Sequence, residues 1–121
     1  MTRLVLFVCP HGAAKSRMAA AYFDHVAPPG WTATTAGLEP GPALSPTATR
    51  LLAGTDAEAL LDLEPPRSVA AVVAPSRIVG IDCSPDAATD RWELGHQEFN
   101  VEMRDELRAR AEKLAAELGE S

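Results

Sequence analysis

The chain has 121 residues, enough for one domain with a real core and too few for two ordinary ones, so residues 1–121 are read as a single domain. Seventeen acidic residues against 11 basic ones give a formal charge of −6, which argues against a binder of nucleic acid or of a membrane surface. No apolar run approaches a bilayer span, no cleavage-site pattern follows Arg3 and the first apolar run, and two cysteines make no disulfide scaffold; a cytoplasmic protein is expected.

Leu4–Val8 is a continuous apolar run ahead of a Pro/Gly break, the pattern of a buried parallel strand. Residues 15–26 follow helical spacing, with Met18, Ala19, Tyr22 and Val26 on one face, and Pro28, Pro29 and Gly30 stop the helix. Trp31–Thr35 reads as a second strand, and residues 36–44 as a loop containing Gly37, Pro40, Gly41 and Pro42. Ser45 and Pro46 open a helix as N-cap and first helical residue, and Gly54 closes it. Ala57–Leu63 suggests a helical turn, while in the alanine-rich stretch Ser68–Ala74 helix and strand compete. Ile78–Ile81 reads as a strand feeding a loop at Asp82 and Cys83, and residues 84–97 as a long surface loop. The last helix carries the stripe Phe99, Met103, Leu107, Ala111, Leu114 and Leu118, flanked by the charge pairs Glu106 with Arg110 and Asp105 with Arg108, and capped by Gly119. Strands alternating with helices predict an α/β fold, a three-layer sandwich around a parallel sheet of four strands. Ligands of such sheets bind beyond the carboxyl ends of the strands, where Cys9 falls.

The densest chemistry lies at residues 9–16: Cys9, Pro10, His11, Gly12, Ala13, Ala14, Lys15, Ser16. A strand that delivers a thiol into a tight loop, with a helix N-terminus behind it, suits a tetrahedral oxyanion, because backbone N–H groups and the helix dipole both favour negative charge. The same surroundings favour a thiolate. The bland alternatives are a buried inert Cys9, Ser16 as a plain N-cap and His11 as an exposed ring; Tyr22, Trp31 and Trp92 read as packing residues. No CxxC or HxxxH spacing exists, so no metal is expected, and chemistry at a Cys9 thiolate requires no organic cofactor. Lys15 and Ser16 match the end of a nucleotide-binding Walker loop, but Cys9 and Ala14 stand where its glycines belong.

The ordered segments resemble the low-molecular-weight protein tyrosine phosphatase family, which includes arsenate reductases. The family motif is Cys, five residues, Arg, then Ser or Thr; here Cys9 matches the nucleophile, Ser16 the hydroxyl that steadies the thiolate, and Met18 and Ala19 the usual pair that follows. Gly12 stands where the family has an Asn held at positive φ, a need that glycine meets without steric cost. Thr35, Ala36 and Gly37, then Cys83, Ser84 and Pro85, then Trp92, Glu93 and Leu94, then the helix carrying Met103 to Leu107 extend the match over most of the chain; residues 55–70 match least. The IIB subunits of sugar phosphotransferase systems also place a cysteine after the first strand, but the later segments fit them poorly.

The resemblance implies that Cys9 attacks a phosphoryl or arsenate centre whose oxygens rest on residues Pro10, His11, Gly12, Ala13, Ala14 and Lys15. It implies as partners a phosphate, sulfate or arsenate oxyanion, or a phosphorylated small molecule or protein. Cys83 resembles the second cysteine of the arsenate reductases, which attacks the first and leaves a disulfide; a small buried thiol is the plain alternative. Two departures bear on chemistry. Lys15 replaces the loop arginine, a point charge in place of a planar fork. The Asp-Pro acid is absent, its place taken by Gly95 and His96, so His96 becomes the candidate acid, with Asp90 and Glu93 weaker substitutes. Arg17 stands where the family usually has proline; it either projects toward the anion or, as helical geometry favours, is turned aside from it. Two readings follow: a cysteine-dependent phosphatase or arsenate reductase of weak activity, or a catalytically lapsed oxyanion or phospho-partner binder, a pseudophosphatase.

Overall fold

In the computed structural model, which describes residues 2–95 and 99–120, the first strand explains most of the architecture. Strand β1 (Arg3–Cys9) is buried from Val5 to Cys9, so both of its faces must be covered. Its neighbours are β2 (Trp31–Gly37) on one side and β3 (Arg77–Ile81) on the other, and β4 (Asp90–Trp92) pairs with β3. The sheet is four-stranded and parallel throughout, in the order β2-β1-β3-β4. Three helices complete the set: α1 (Lys15–Val26), α2 (Pro46–Leu52) and α3 (Val101–Glu120), with 3-10 turns at Glu58–Leu60 and Val69–Ala71.

The alternation of side chains along β1 divides the core in two. Val5, Phe7 and Cys9 join Val79 and Ile81 beneath Met18, Tyr22 and Phe23 of α1, Leu52 of α2, and Met103, Leu107 and Leu114 of α3. Leu6 and Val8 point to the other face and meet Ala36, Val69, Val72, Ile78 and Cys83. The sheet therefore lies between a helical layer and a thin layer built from the Val69–Ala71 turn and its flanks.

Several boundaries differ from the sequence reading. The fourth strand lies within residues 84–97, read as loop; it is only Asp90, Arg91 and Trp92, held by Ile81 opposite Trp92 and by Thr89 N donating to Ile78 O at 2.8 Å. Ser68–Ala74 forms neither full helix nor strand: Val69–Ala71 is a 3-10 turn, and Ser68 makes one parallel bridge to Gly37. In α1, Ser16 to Phe23 are all buried, because the helix is covered by the sheet and by α3, while Val26 is exposed. Helix α3 begins at Val101, where Asn100 caps it by accepting from Met103 N at 2.9 Å. Phe99 is thus outside the stripe and 44% exposed. The helix runs through Gly119, which caps nothing. Glu106 pairs with Arg110 at 2.9 Å, but Arg108 turns to Glu112 and Asp56 while Asp105 takes Arg104. Ser45 caps α2 with its Oγ accepting from Thr47 N, and Pro46 follows it.

Candidate functional site

The loop between β1 and α1 is shaped by where its carbonyls go. Cys9 O accepts from Leu38 N, Pro10 O from Glu39 N at 2.9 Å, His11 O from Gly41 N at 3.0 Å and Ala13 O from Ser45 N at 2.9 Å. Gly12 O accepts from Arg17 Nε at 2.8 Å, and Ala14 O from Met18 N at 3.0 Å in the first helical turn. Every carbonyl from residue 9 to 14 is therefore engaged by the 38–45 segment or by α1. The chain has no cis peptide among the described residues, and in a trans peptide the N–H points opposite to the carbonyl of its plane. The N–H groups of residues 11–15 thus face away from those partners, and none has an acceptor among the described residues. Free amides at the opening turn of a helix are the donor set an oxyanion requires.

Two glycines make this tight path feasible. Gly12 sits at φ +66°, and a Cβ there would lie 2.7 Å from Gly37 N. A Cβ on Gly37 would lie 2.4 Å from His11 C. Backbone meets backbone at this crossing, with no flexible side chain to give way.

Cys9 closes β1 at the floor of the loop, with 4% of its surface open, and its thiol donates to Ser16 Oγ at 3.1 Å. Ser16 lies inside α1 and does not cap it; the N-cap is Ala14, which makes no side-chain bond. The serine hydroxyl is free to face the sulfur for that reason. His11 is exposed, and its Nδ1 lies 3.1 Å from Glu39 O.

Lys15 turns out of the loop. Its Nζ donates to Asp82 Oδ2 at 2.5 Å and lies 5.6 Å from the Phe99 ring centroid. The other oxygen, Asp82 Oδ1, accepts from Leu94 N at 2.7 Å and Gly95 N at 3.2 Å. Asp82 thus ties the first loop to the loop after β4, from a left-handed backbone position at φ +55°. Burial pushes its carboxyl up, but the Lys15 and Leu94 hydrogen bonds, the Lys15 charge and Gly95 N–H outweigh that and hold it below the usual carboxylate range. Sequence reasoning passed over Asp82; its signal was an acidic residue at the carboxyl end of a strand, beside Cys83.

Cys83 follows, half-buried, with its thiol donating to Val8 O at 3.4 Å, one residue before Cys9. Burial, followed by the charges of Cys9 and Asp82, pushes the Cys83 thiol up. A cavity of about 490 Å³ opens beside the loop, and Pro10, Lys15, Asp82, Cys83, Trp92 and Glu93 are among the residues that line it. Asp90 is committed to Arg77 at 2.7 Å, and Glu93 is exposed. His96 lies outside the described residues. Trp92 packs on Phe7 with ring centroids 5.5 Å apart, and Tyr22 and Trp31 are buried in the core. No group of three or more potential metal ligands occurs among the described residues, and no described helix is long and apolar enough to cross a membrane.

Arg17 is the largest fully buried side chain, 0% exposed. Besides Gly12 O it reaches Asp62 O with NH1 at 2.6 Å, and Asp62 in turn pairs with Arg67 at 2.9 Å. Arg67 holds β2 through Thr34 Oγ1 and both oxygens of Thr35. Asp62 and Arg67, from the stretch least legible in sequence, therefore link Arg17 of α1 to β2.

No family model matches the chain. No curated protein matches it by sequence. Solved structures do. An arsenate reductase from Archaeoglobus fulgidus superposes with a TM-score of 0.72 at 31% identity, over 93% of this chain and 98% of that one. An arsenate reductase in a phosphate-binding state gives a TM-score of 0.75 at 18% identity, over 96% and 98% of the two chains. An arginine phosphatase from Geobacillus stearothermophilus gives 0.68 at 18% identity, over 96% and 92%.

Proposed function

The chain belongs to the family of arsenate reductases and low-molecular-weight phosphatases, and on that premise we propose that residues Cys9 to Ser16 hold a phosphate- or arsenate-type oxyanion over the Cys9 sulfur. The observation that carries the reading is the outward commitment of every carbonyl from residue 9 to 14, which leaves the amides of residues 11–15 as donors. Those amides take the oxygens of the bound centre, and Ser16 Oγ steadies the sulfur as a thiolate.

Two reactions use this arrangement. With a phosphomonoester, the thiolate forms an S–P bond while the P–O ester bond breaks; the leaving oxygen takes a proton from water or from an acid of the late loop, and water then hydrolyses the thiophosphate. With arsenate, the thiolate displaces one arsenic-bound oxygen, which leaves as water after protonation. Cys83, as a thiolate, then attacks the Cys9 sulfur; the S–S bond forms, the S–As electron pair stays with arsenic, and arsenic falls from the +5 to the +3 state as two thiols become a disulfide. The second reaction draws on Cys83, whose half-buried thiol donates to Val8 O on the strand that ends in Cys9, and it requires that thiol to leave Val8 O and ionise.

A second reading has its own observation. Lys15, in the place of the loop arginine, is paired with Asp82 and gives its charge to a carboxylate of the chain. A loop that lacks a free guanidinium fork stabilises a transition state less than a bound ground state, as a lapsed enzyme does. Assays of p-nitrophenyl phosphate hydrolysis and of arsenite production with wild type, Cys9→Ser, Cys83→Ser and Lys15→Arg separate the cases. A reductase loses arsenite production in both cysteine variants; a phosphatase loses turnover only in Cys9→Ser. A lapsed binder is silent in all but Lys15→Arg, while retaining phosphate binding.

A further inference from the structure

Arg17 is placed where stability alone gives little reason for a cation. Its guanidinium is fully buried, and its Nη2 has no hydrogen-bond partner among the described residues. A buried charge with donors unmade is destabilising. It also sits in the first turn of α1, the end of the helix dipole that repels cations. Asp62 offsets the charge only in part: its Oδ1 is 3.8 Å from Arg17 Nη1, and Arg67 shares the same carboxylate. What remains is net positive potential directly behind a loop of outward carbonyls, held against it by the bond to Gly12 O.

We infer that Arg17 is the positioning residue of the oxyanion loop: from behind, it fixes the Gly12 peptide and supplies the loop's positive charge, while Lys15 is engaged by Asp82. Resting on the reading of the loop proposed above, this deepens it by naming the group that favours negative charge at Cys9 and its guest. Two roles combine in one side chain. Nε pins Gly12 O outward, which turns the Ala13 N–H toward the opposite side of that peptide plane. The delocalised charge, shielded from solvent, acts on the thiolate through a medium of low polarity. The charges that face it are Asp62, Arg67, Cys9 and Glu64. Desolvation pulls the Arg17 proton affinity down, and the charges of Asp62 and Cys9 restore part of it.

The test reads the rate of Cys9 alkylation by iodoacetamide across pH in a Cys83→Ser background, together with the thermal midpoint with and without inorganic phosphate. Arg17→Met keeps the buried stem and removes the charge. It should slow alkylation at neutral pH by about tenfold, move the pH profile upward by about one unit, and abolish the phosphate-induced rise in midpoint. Arg17→Lys should restore part of both. Asp62→Asn, which leaves the Asp62 carbonyl for Arg17 but removes the opposing charge, should speed alkylation about two- to threefold while lowering stability, a pairing that a merely structural role does not produce. Wild-type alkylation in folded Arg17→Met overturns the inference. If Arg17→Met does not fold, unchanged or slower alkylation in Asp62→Asn overturns it. A wild-type protein that ignores phosphate while the alkylation series behaves as stated would instead sink the oxyanion reading and leave Arg17 its role at the thiol.

Discussion

Replacing Asp82 with Asn isolates the link between the first loop and the late loop. Asparagine tolerates the left-handed backbone at φ +55°, so the change does not strain the chain. It keeps an amide oxygen for Leu94 N and Gly95 N and removes the charge that binds Lys15 Nζ at 2.5 Å. A charge-assisted hydrogen bond contributes about 1.5–3 kcal/mol against about 1 for a neutral one. The two side chains are 14% and 17% exposed, so solvent screening trims that gain, and a loss of about 1–2 kcal/mol is expected. For a chain of this length that lowers the thermal midpoint by roughly 4–8 °C. The pH dependence has a definite sign. Asp82 is held below its unfolded value, so its contribution is full above about pH 4 and is lost as pH falls through the lower folded value. The gap between wild type and Asp82→Asn should therefore be widest near neutrality and close in acid, where the wild-type carboxyl is itself neutral. Freed from Asp82, Lys15 becomes available to an anion, and phosphate affinity should rise roughly three- to tenfold, about 1 kcal/mol. Differential scanning calorimetry from pH 3 to 8, with and without phosphate, measures both effects. A pH-independent gap, or weaker phosphate binding in the variant, would mean that Asp82 neither draws stability from its charge nor holds Lys15 from the anion.

Gly37→Ala drives a Cβ into the backbone of His11 at 2.4 Å, and the change should cost about 3 kcal/mol or more, seen as a lower urea midpoint and loss of any phosphate effect. Leu107→Ala empties a fully buried position of α3 and should cost about 2–5 kcal/mol without altering Cys9 alkylation in the protein that remains folded. In Cys9→Ser, alkylation of Cys83 should have its midpoint above the free-cysteine value of about 8.5, because burial disfavours its thiolate even with the neighbouring sulfur gone.

The first strand and the loop after it were legible because their signals are local: an apolar run, a Pro/Gly break and a helical pattern within a few residues of Cys9. The third strand was legible in the same way. Strand β4 was not, because Asp90, Arg91 and Trp92 carry no strand pattern of their own; β3 imposes the pairing from across the sheet. Phe99 fits the spacing of α3, yet the cap at Asn100 starts the helix after it, a signal present in the sequence and outweighed there by periodicity. At the site, the motif resemblance paired Cys9 with Ser16, and the structure sets the thiol 3.1 Å from that hydroxyl, from the end of β1 to the first turn of α1. The sequence could not foretell that Lys15 meets Asp82, 67 positions away, or that Arg17 is buried against Asp62. Both partners come from segments whose place is fixed only when the sheet assembles.

Titration of phosphate and arsenate against the thermal midpoint at constant ionic strength asks whether the amides of the β1–α1 loop bind a tetrahedral oxyanion. A ligand that binds only the native state at about 100 times its Kd adds roughly 2.7 kcal/mol, so the midpoint should climb by several degrees, with chloride inert and Gly12→Ala unresponsive. A midpoint that stays level with phosphate and arsenate, or moves equally with chloride, would contradict binding by those amides.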